Sequence, residues 1–122
     1  MNDKDILNEF GATLMASVRD RSVCKIEQAQ SGALKGSSGK MLHDLFSQFN
    51  NEQQEIIKKL IVEFIDNTIF NTLSLFEESE YKKIFIHGVD INEISDGLCG
   101  ELFTEDGWIS QFSKYNMMTP AG

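Results

Sequence analysis

Apolar residues recur along this chain at three- and four-residue steps, most densely between Asn51 and Glu78, a stretch without Pro or Gly. Ile56, Ile57, Leu60, Ile61, Phe64, Ile65, Ile69, Leu73 and Phe76 make a stripe wider than a surface helix needs. The pattern predicts one long central helix that neighbouring elements must cover. Glu55, Lys59 and Glu63, four residues apart in turn, mark its solvent side.

The same reading of period places the other elements. From Asp3 to Gln30, Ile6, Leu7, Phe10, Leu14, Met15 and Val18 predict an amphipathic helix, which Arg19 to Ser22 either interrupt near Asp20 or leave continuous through Cys24, Ile26 and Ala29. Gly11 weakens a helix interior by about 1 kcal/mol against Ala; a close crossing by another element accounts for it. Ser31 to Gly39, with three glycines and three serines, reads as a connector. It lacks the GxxxxGK[ST] spacing of a phosphate loop, and Met41 stands where Ser or Thr belongs. Ser38 is the expected N-cap of a short helix carrying Met41, Leu42, Leu45, Phe46 and Phe49 on one side. Asn50 then caps the central helix, with Gln53 completing a capping box.

Beyond Glu78 the period shortens. Ile84, Phe85 and Ile86 read as a buried strand, and His87 and Gly88 as the turn to a second strand at Val89, Asp90 and Ile91. Asn92 to Glu101 is a turn region anchored by Ile94, Leu98 and, just beyond, Leu102. A last helix is expected from an N-cap at Thr104, with Glu105 and Asp106 in its first turn and Phe103 and Trp108 as a staple, ending near Tyr115. The expectation is a mainly α protein: residues 1–122 as a single helical domain on a long central helix, a small β-hairpin near residues 82–92, and a mobile tail over 116–122.

Composition narrows the function classes. A net charge of −8 and an isoelectric point near 4.6 argue against nucleic-acid or anionic-membrane binding, since both need clustered Lys and Arg. The start of the chain lacks a signal-peptide pattern, and Lys58, Lys59, Glu63 and Asp66 interrupt the central helix as a membrane span, so a cytoplasmic protein is expected. Cys24 and Cys99 have no CxxC companions and read as reduced, mostly buried thiols.

Candidate chemistry is sparse. His43 and His87 fall in different elements without a triad signature, and His43, His87, Cys24 and Cys99 lack metal-ligand spacing. No cofactor, metal or catalytic residue is assigned, and the reading is of a protein that is not an enzyme. Glu101, Glu105 and Asp106 are the nearest carboxylate cluster for acid/base work; Asp66, Asn67 and Asn71 read as groups that cap or bridge neighbouring backbone. The strongest unevenness is electrostatic: from Ile84 to Ser113 there are six acids, Asp90, Glu93, Asp96, Glu101, Glu105 and Asp106, and no Lys or Arg. With Phe103 and Trp108 among them, they are the candidate binding residues for a basic protein.

The run Glu93 to Ile109, with Leu42 to Leu45 and Ile65 to Thr68, resembles a recurrent pattern in an uncharacterised family of small bacterial proteins. In size, acidity and simplicity the chain is also similar to immunity proteins made beside polymorphic or contact-dependent growth-inhibition toxins. That resemblance implies binding to a cognate basic toxin domain, often a nuclease, which it blocks sterically. Two rival expectations are a regulatory or scaffold homodimer that buries its apolar excess against itself, and a hydrolase with Glu101 or Asp106 at the floor of a concave site.

Overall fold

The protein is mainly helical, as a computed structural model describing residues 1–116 shows. The expected tail from 117 onward lies outside the described residues. Helix α1 (Asp3–Leu14) starts at Asn2, whose side chain accepts the Asp5 N–H at 2.9 Å, and it carries Asp3 and Asp5 in its first turn. It runs without a break through a π-helical turn at Met15–Arg19 into α2 (Asp20–Ser31), which ends on Gly32 at φ +87°. After a short connection come α3 (Gly36–Ser47) and the 28-residue α4 (Asn51–Glu78), whose start is the expected reciprocal capping box of Asn50 and Gln53.

The α1–α2 rod and α4 lie antiparallel, and their contact is layered. Met15 joins Ile69 and Leu73 in one apolar cluster with Ile91, Leu98, Leu102, Trp108 and Ile109. Val23, Ile26 and Ala29 join Val62 and Phe46 in a second. Between Met15 and Val23 stands Arg19, fully buried, opposite Asp66, which lies between Val62 and Ile69 and is 2% exposed. The pair is bidentate: Arg19 Nε donates to Asp66 Oδ1 at 2.6 Å and Nη2 to Oδ2 at 3.2 Å. Arg19 Nη1 continues to Ser113 Oγ at 2.8 Å and to the Tyr115 carbonyl at 3.2 Å. Ser113 Oγ in turn donates to Asp20 Oδ1 at 2.6 Å, and the Lys114 N–H reaches Asp20 Oδ2 at 3.2 Å. Three segments distant in sequence meet on one guanidinium.

The π turn makes this possible. Gly11, Met15, Arg19 and Val23 are all buried at four-residue steps. In a regular helix of 3.6 residues per turn, three such steps drift by about 120° around the axis. The wider turn over Met15–Arg19 absorbs the drift and keeps all four facing α4 and its neighbours. Asp66 therefore serves as the ionic partner of Arg19, not as the cap or backbone bridge expected of it.

The C-terminal third is irregular and lies against the first cluster. Strands β1 (Phe85–Ile86) and β2 (Val89–Asp90) pair antiparallel, Phe85 with Asp90 and Ile86 with Val89. His87 and Gly88 between them both have positive φ, as a primed two-residue turn requires. The buried strand expected at Ile84 to Ile86 is shorter and shallower: Phe85 is 62% exposed, and Ile84 and Ile86 are only half-buried. A 3₁₀ turn over Cys99–Leu102 buries Leu102 and, just before it, Leu98.

Other expectations also need correction. Helix α3 begins at Gly36, two residues before Ser38, and Lys35 occupies its N-cap position without a side-chain bond. The last helix, α5 (Trp108–Phe112), starts from Gly107 and not from Thr104. Thr104 sits at φ +80°, incompatible with an N-cap, and leaves Glu105 and Asp106 in the turn ahead of the helix. Gly107 is required there because a Cβ would collide with the Phe103 carbonyl. The end of the helix moves too, to Phe112, where Ser113 turns inward to Arg19. The crossing expected at Gly11 is made by Trp108: a Cβ on Gly11 would stand 2.5 Å from the indole Nε1, and Phe10 meets the same ring edge-on at 5.6 Å.

Removing one partner of a buried ion pair strands the other charge, at a cost of about 3–5 kcal/mol, whereas replacing both by apolar groups costs far less. Asp66→Ala is therefore expected to lower the unfolding free energy by about that amount in urea titration. The double replacement Arg19→Met with Asp66→Leu strands no charge but gives up the Arg19 bonds to Ser113 and Tyr115, so it should recover part of the loss; equal losses in both variants would show that the pair does not act as a unit.

Candidate protein interface

Helix α4 ends at Glu78, and the residues that hold the acidic segment begin on its last turn. The Glu77 carboxylate accepts the Cys99 N–H at 3.1 Å and lies 3.7 Å from the Cys99 thiol, tying the start of the 3₁₀ turn to α4. The Glu77 carbonyl accepts from the Asn92 side chain at 3.2 Å. At the hairpin, His87 Nε2 lies 2.7 Å from the Glu9 carboxylate of α1. Arg19 fixes the far end through Ser113 and Tyr115. The segment from 84 to 115 is thus attached at several points to a helical frame.

Its six acids fall into different settings. Asp90 is buried, accepts the Asn92 N–H at 3.0 Å and has Lys83 Nζ 3.8 Å away, so it holds the hairpin and presents no charge to a partner. Glu93, Asp96, Glu105 and Asp106 are exposed. Glu101 is half-buried, its carboxylate bonded by Ser95 Oγ at 3.2 Å. Glu101 and Asp106 are brought together on a cleft of about 390 Å³ between α1 and α5, with Lys4, Asn8, Gln111 and Trp108 in its wall. Gln111 Nε2 donates to the Asp106 carbonyl and steadies that rim. Two acidic residues and one basic one line the cleft beside Asn8 and Gln111, a net negative lining that favours a basic group over an acidic one.

Lys4 and Asn8 escaped sequence reasoning because they sit about a hundred residues from the acids, on the polar side of a helix read only for its apolar stripe. Arg19 and Asp20 were legible only as interruptions of that stripe. The histidines are structural: His43 Nδ1 stands 3.1 and 3.0 Å from the carbonyls of Ala29 and Gln30, so it carries the proton and closes the end of α2. Cys24 and Cys99 are free and half-buried in separate elements. No helix among the described residues is long and apolar enough to cross a membrane.

A second surface has the opposite character. The central helix is not covered all round as expected: Ile56, Leu60 and Phe64 are 64%, 57% and 62% exposed. Leu45 and Phe49 border a groove of about 200 Å³ with Ile57 and Ile61, and Phe64 and Val18 border another of about 260 Å³ that shares Ile61. The apolar side expected for α3 is correspondingly split, with Phe46 buried and Met41, Leu45 and Phe49 left outside.

Tyr115, where the chain leaves Arg19, reports on how firmly this end is held. Its hydroxyl is pushed up from 10.0 to about 12, by desolvation first and then by Glu27 and Cys24 on α2. A raised folded-state value favours the neutral phenol, so this contribution to stability is present below pH 10 and is lost as pH rises towards 12. In a Tyr81→Phe variant, which leaves Tyr115 alone, tyrosinate absorbance is expected to rise with a midpoint near 12. A midpoint near 10 contradicts the packing of this residue against α2.

No protein-family model, curated protein or solved structure matches the chain.

Proposed function

We propose that the protein is an immunity-type inhibitor that binds a cognate basic toxin domain and neutralises it by covering its working surface, without catalysis. The observation that supports this most is the cleft lined by Glu101 and Asp106, with Lys4 of α1 the one base in its wall, on a segment that carries Glu93, Asp96 and Glu105 outward and contains no Lys or Arg from Ile84 to Ser113. Negative potential on a rigid support speeds encounter with a positive surface and disfavours acidic competitors. A nuclease domain, whose working surface must attract phosphate, is the kind of partner this charge fits. Asp90 contributes from within, by holding the hairpin, while the other five acids are the contact residues.

The reading is tested by measuring association with the product of the neighbouring gene. Stoichiometric binding that weakens with salt is expected. The paired reversals Glu105→Lys and Asp106→Lys should slow association by about tenfold or more. Both substitutions lie in an exposed turn, so circular dichroism and thermal unfolding should stay at wild-type values. Unchanged association by the reversed variant would place the interface elsewhere.

A further inference from the structure

We infer that the exposed apolar face of α3 and α4 joins two copies of this chain in an antiparallel, two-fold dimer centred on Leu60. Six side chains, Met41, Leu45, Phe49, Ile56, Leu60 and Phe64, are each between 43% and 64% exposed on these two elements and the turn between them. At roughly 100 Å² of accessible surface apiece they present about 600 Å² of apolar area, at the upper limit of what a soluble monomer shows. The half-buried Ile57 and Ile61, which line the adjoining grooves, bring the face close to the ~800 Å² that one side of a standard interface covers.

The arrangement of this face fits a second copy of itself. Ile56, Leu60 and Phe64 are evenly spaced at four residues, so reversing the direction of α4 about Leu60 places Leu60 on Leu60 and Ile56 on Phe64. The polar edge beside this stripe carries Lys59 and Glu63, both exposed. In an antiparallel pair like edges face each other, so Lys59 of one copy stands opposite Glu63 of the other, twice by symmetry. Each copy carries a net charge of −8, so long-range electrostatics opposes the association and added salt relieves the opposition. The salt dependence is opposite in sign to that of the proposed toxin complex, and the two can fail independently.

Sedimentation velocity of the full chain from about 1 to 200 μM, at low and high salt, tests the dimer. The wild type is expected to dimerise, more tightly at high salt. Leu60→Glu alters a side chain already facing water in the single copy, so its thermal unfolding should match the dissociated wild type while its dimer dissociation constant rises at least 100-fold. Lys59→Glu should weaken the dimer several-fold, and adding Glu63→Lys should restore it. A wild type monomeric throughout this range, a dimer indifferent to Leu60→Glu, or one that salt dissociates would each overturn the inference.

Discussion

The salt bridge between Arg19 and Asp66 is the constraint on which the rest of the molecule hangs. A guanidinium removed from water persists only where its donors meet acceptors, and here acceptors come from α4, from Ser113 and from the Tyr115 backbone. That requirement fixes the register of α1–α2 against α4 and draws the end of the chain into the interface. The two apolar clusters on either side supply the burial energy. The ionic layer between them restricts how they can be joined, because sliding either helix by one residue would leave a buried charge without its partner.

Mounting the C-terminal third in this way gives its charges a fixed geometry. Glu77 anchors the middle, the His87–Glu9 contact the hairpin, and Arg19 the end. Irregular backbone held at these points carries Glu93, Asp96, Glu105 and Asp106 outward on a fixed support, which would lose less ordering entropy in a complex than a free acidic segment. The apolar face of α3 and α4 is separate from the cleft residues in both composition and lining. One molecule thus carries an acidic surface and, apart from it, an exposed apolar one.

Most of the helical frame was legible in the sequence for local reasons. Asn50 and Gln53 signal the start of α4 through a bond pattern that depends on three-residue spacing alone, and α4 then runs to Glu78 as its uninterrupted apolar pattern required. The hairpin turn followed from Gly88, which tolerates positive φ. What failed depended on distant contacts. Thr104 has the composition of an N-cap, but the chain must turn tightly to bring Trp108 over Gly11, and that turn takes Thr104 into the left-handed region and moves the helix start to Gly107. Arg19 looks like a solvent residue until a π turn rotates it inward, and no local signal announces such a turn. The apolar width of α4 was read as a promise of cover, whereas Ile56, Leu60 and Phe64 on it are exposed.

The most direct measurement of the central claim is native-state hydrogen exchange of the amides of Ile91, Ser113 and Lys114 against those of Val62 and Ile69, followed through increasing urea. If the ionic layer unites the C-terminal third with the helical body, all five exchange only through one global opening, with the same free energy and the same urea dependence. Exchange of the first three at markedly lower free energy, while α4 stays protected, would mean that the segment opens on its own and that Arg19 does not hold the molecule together.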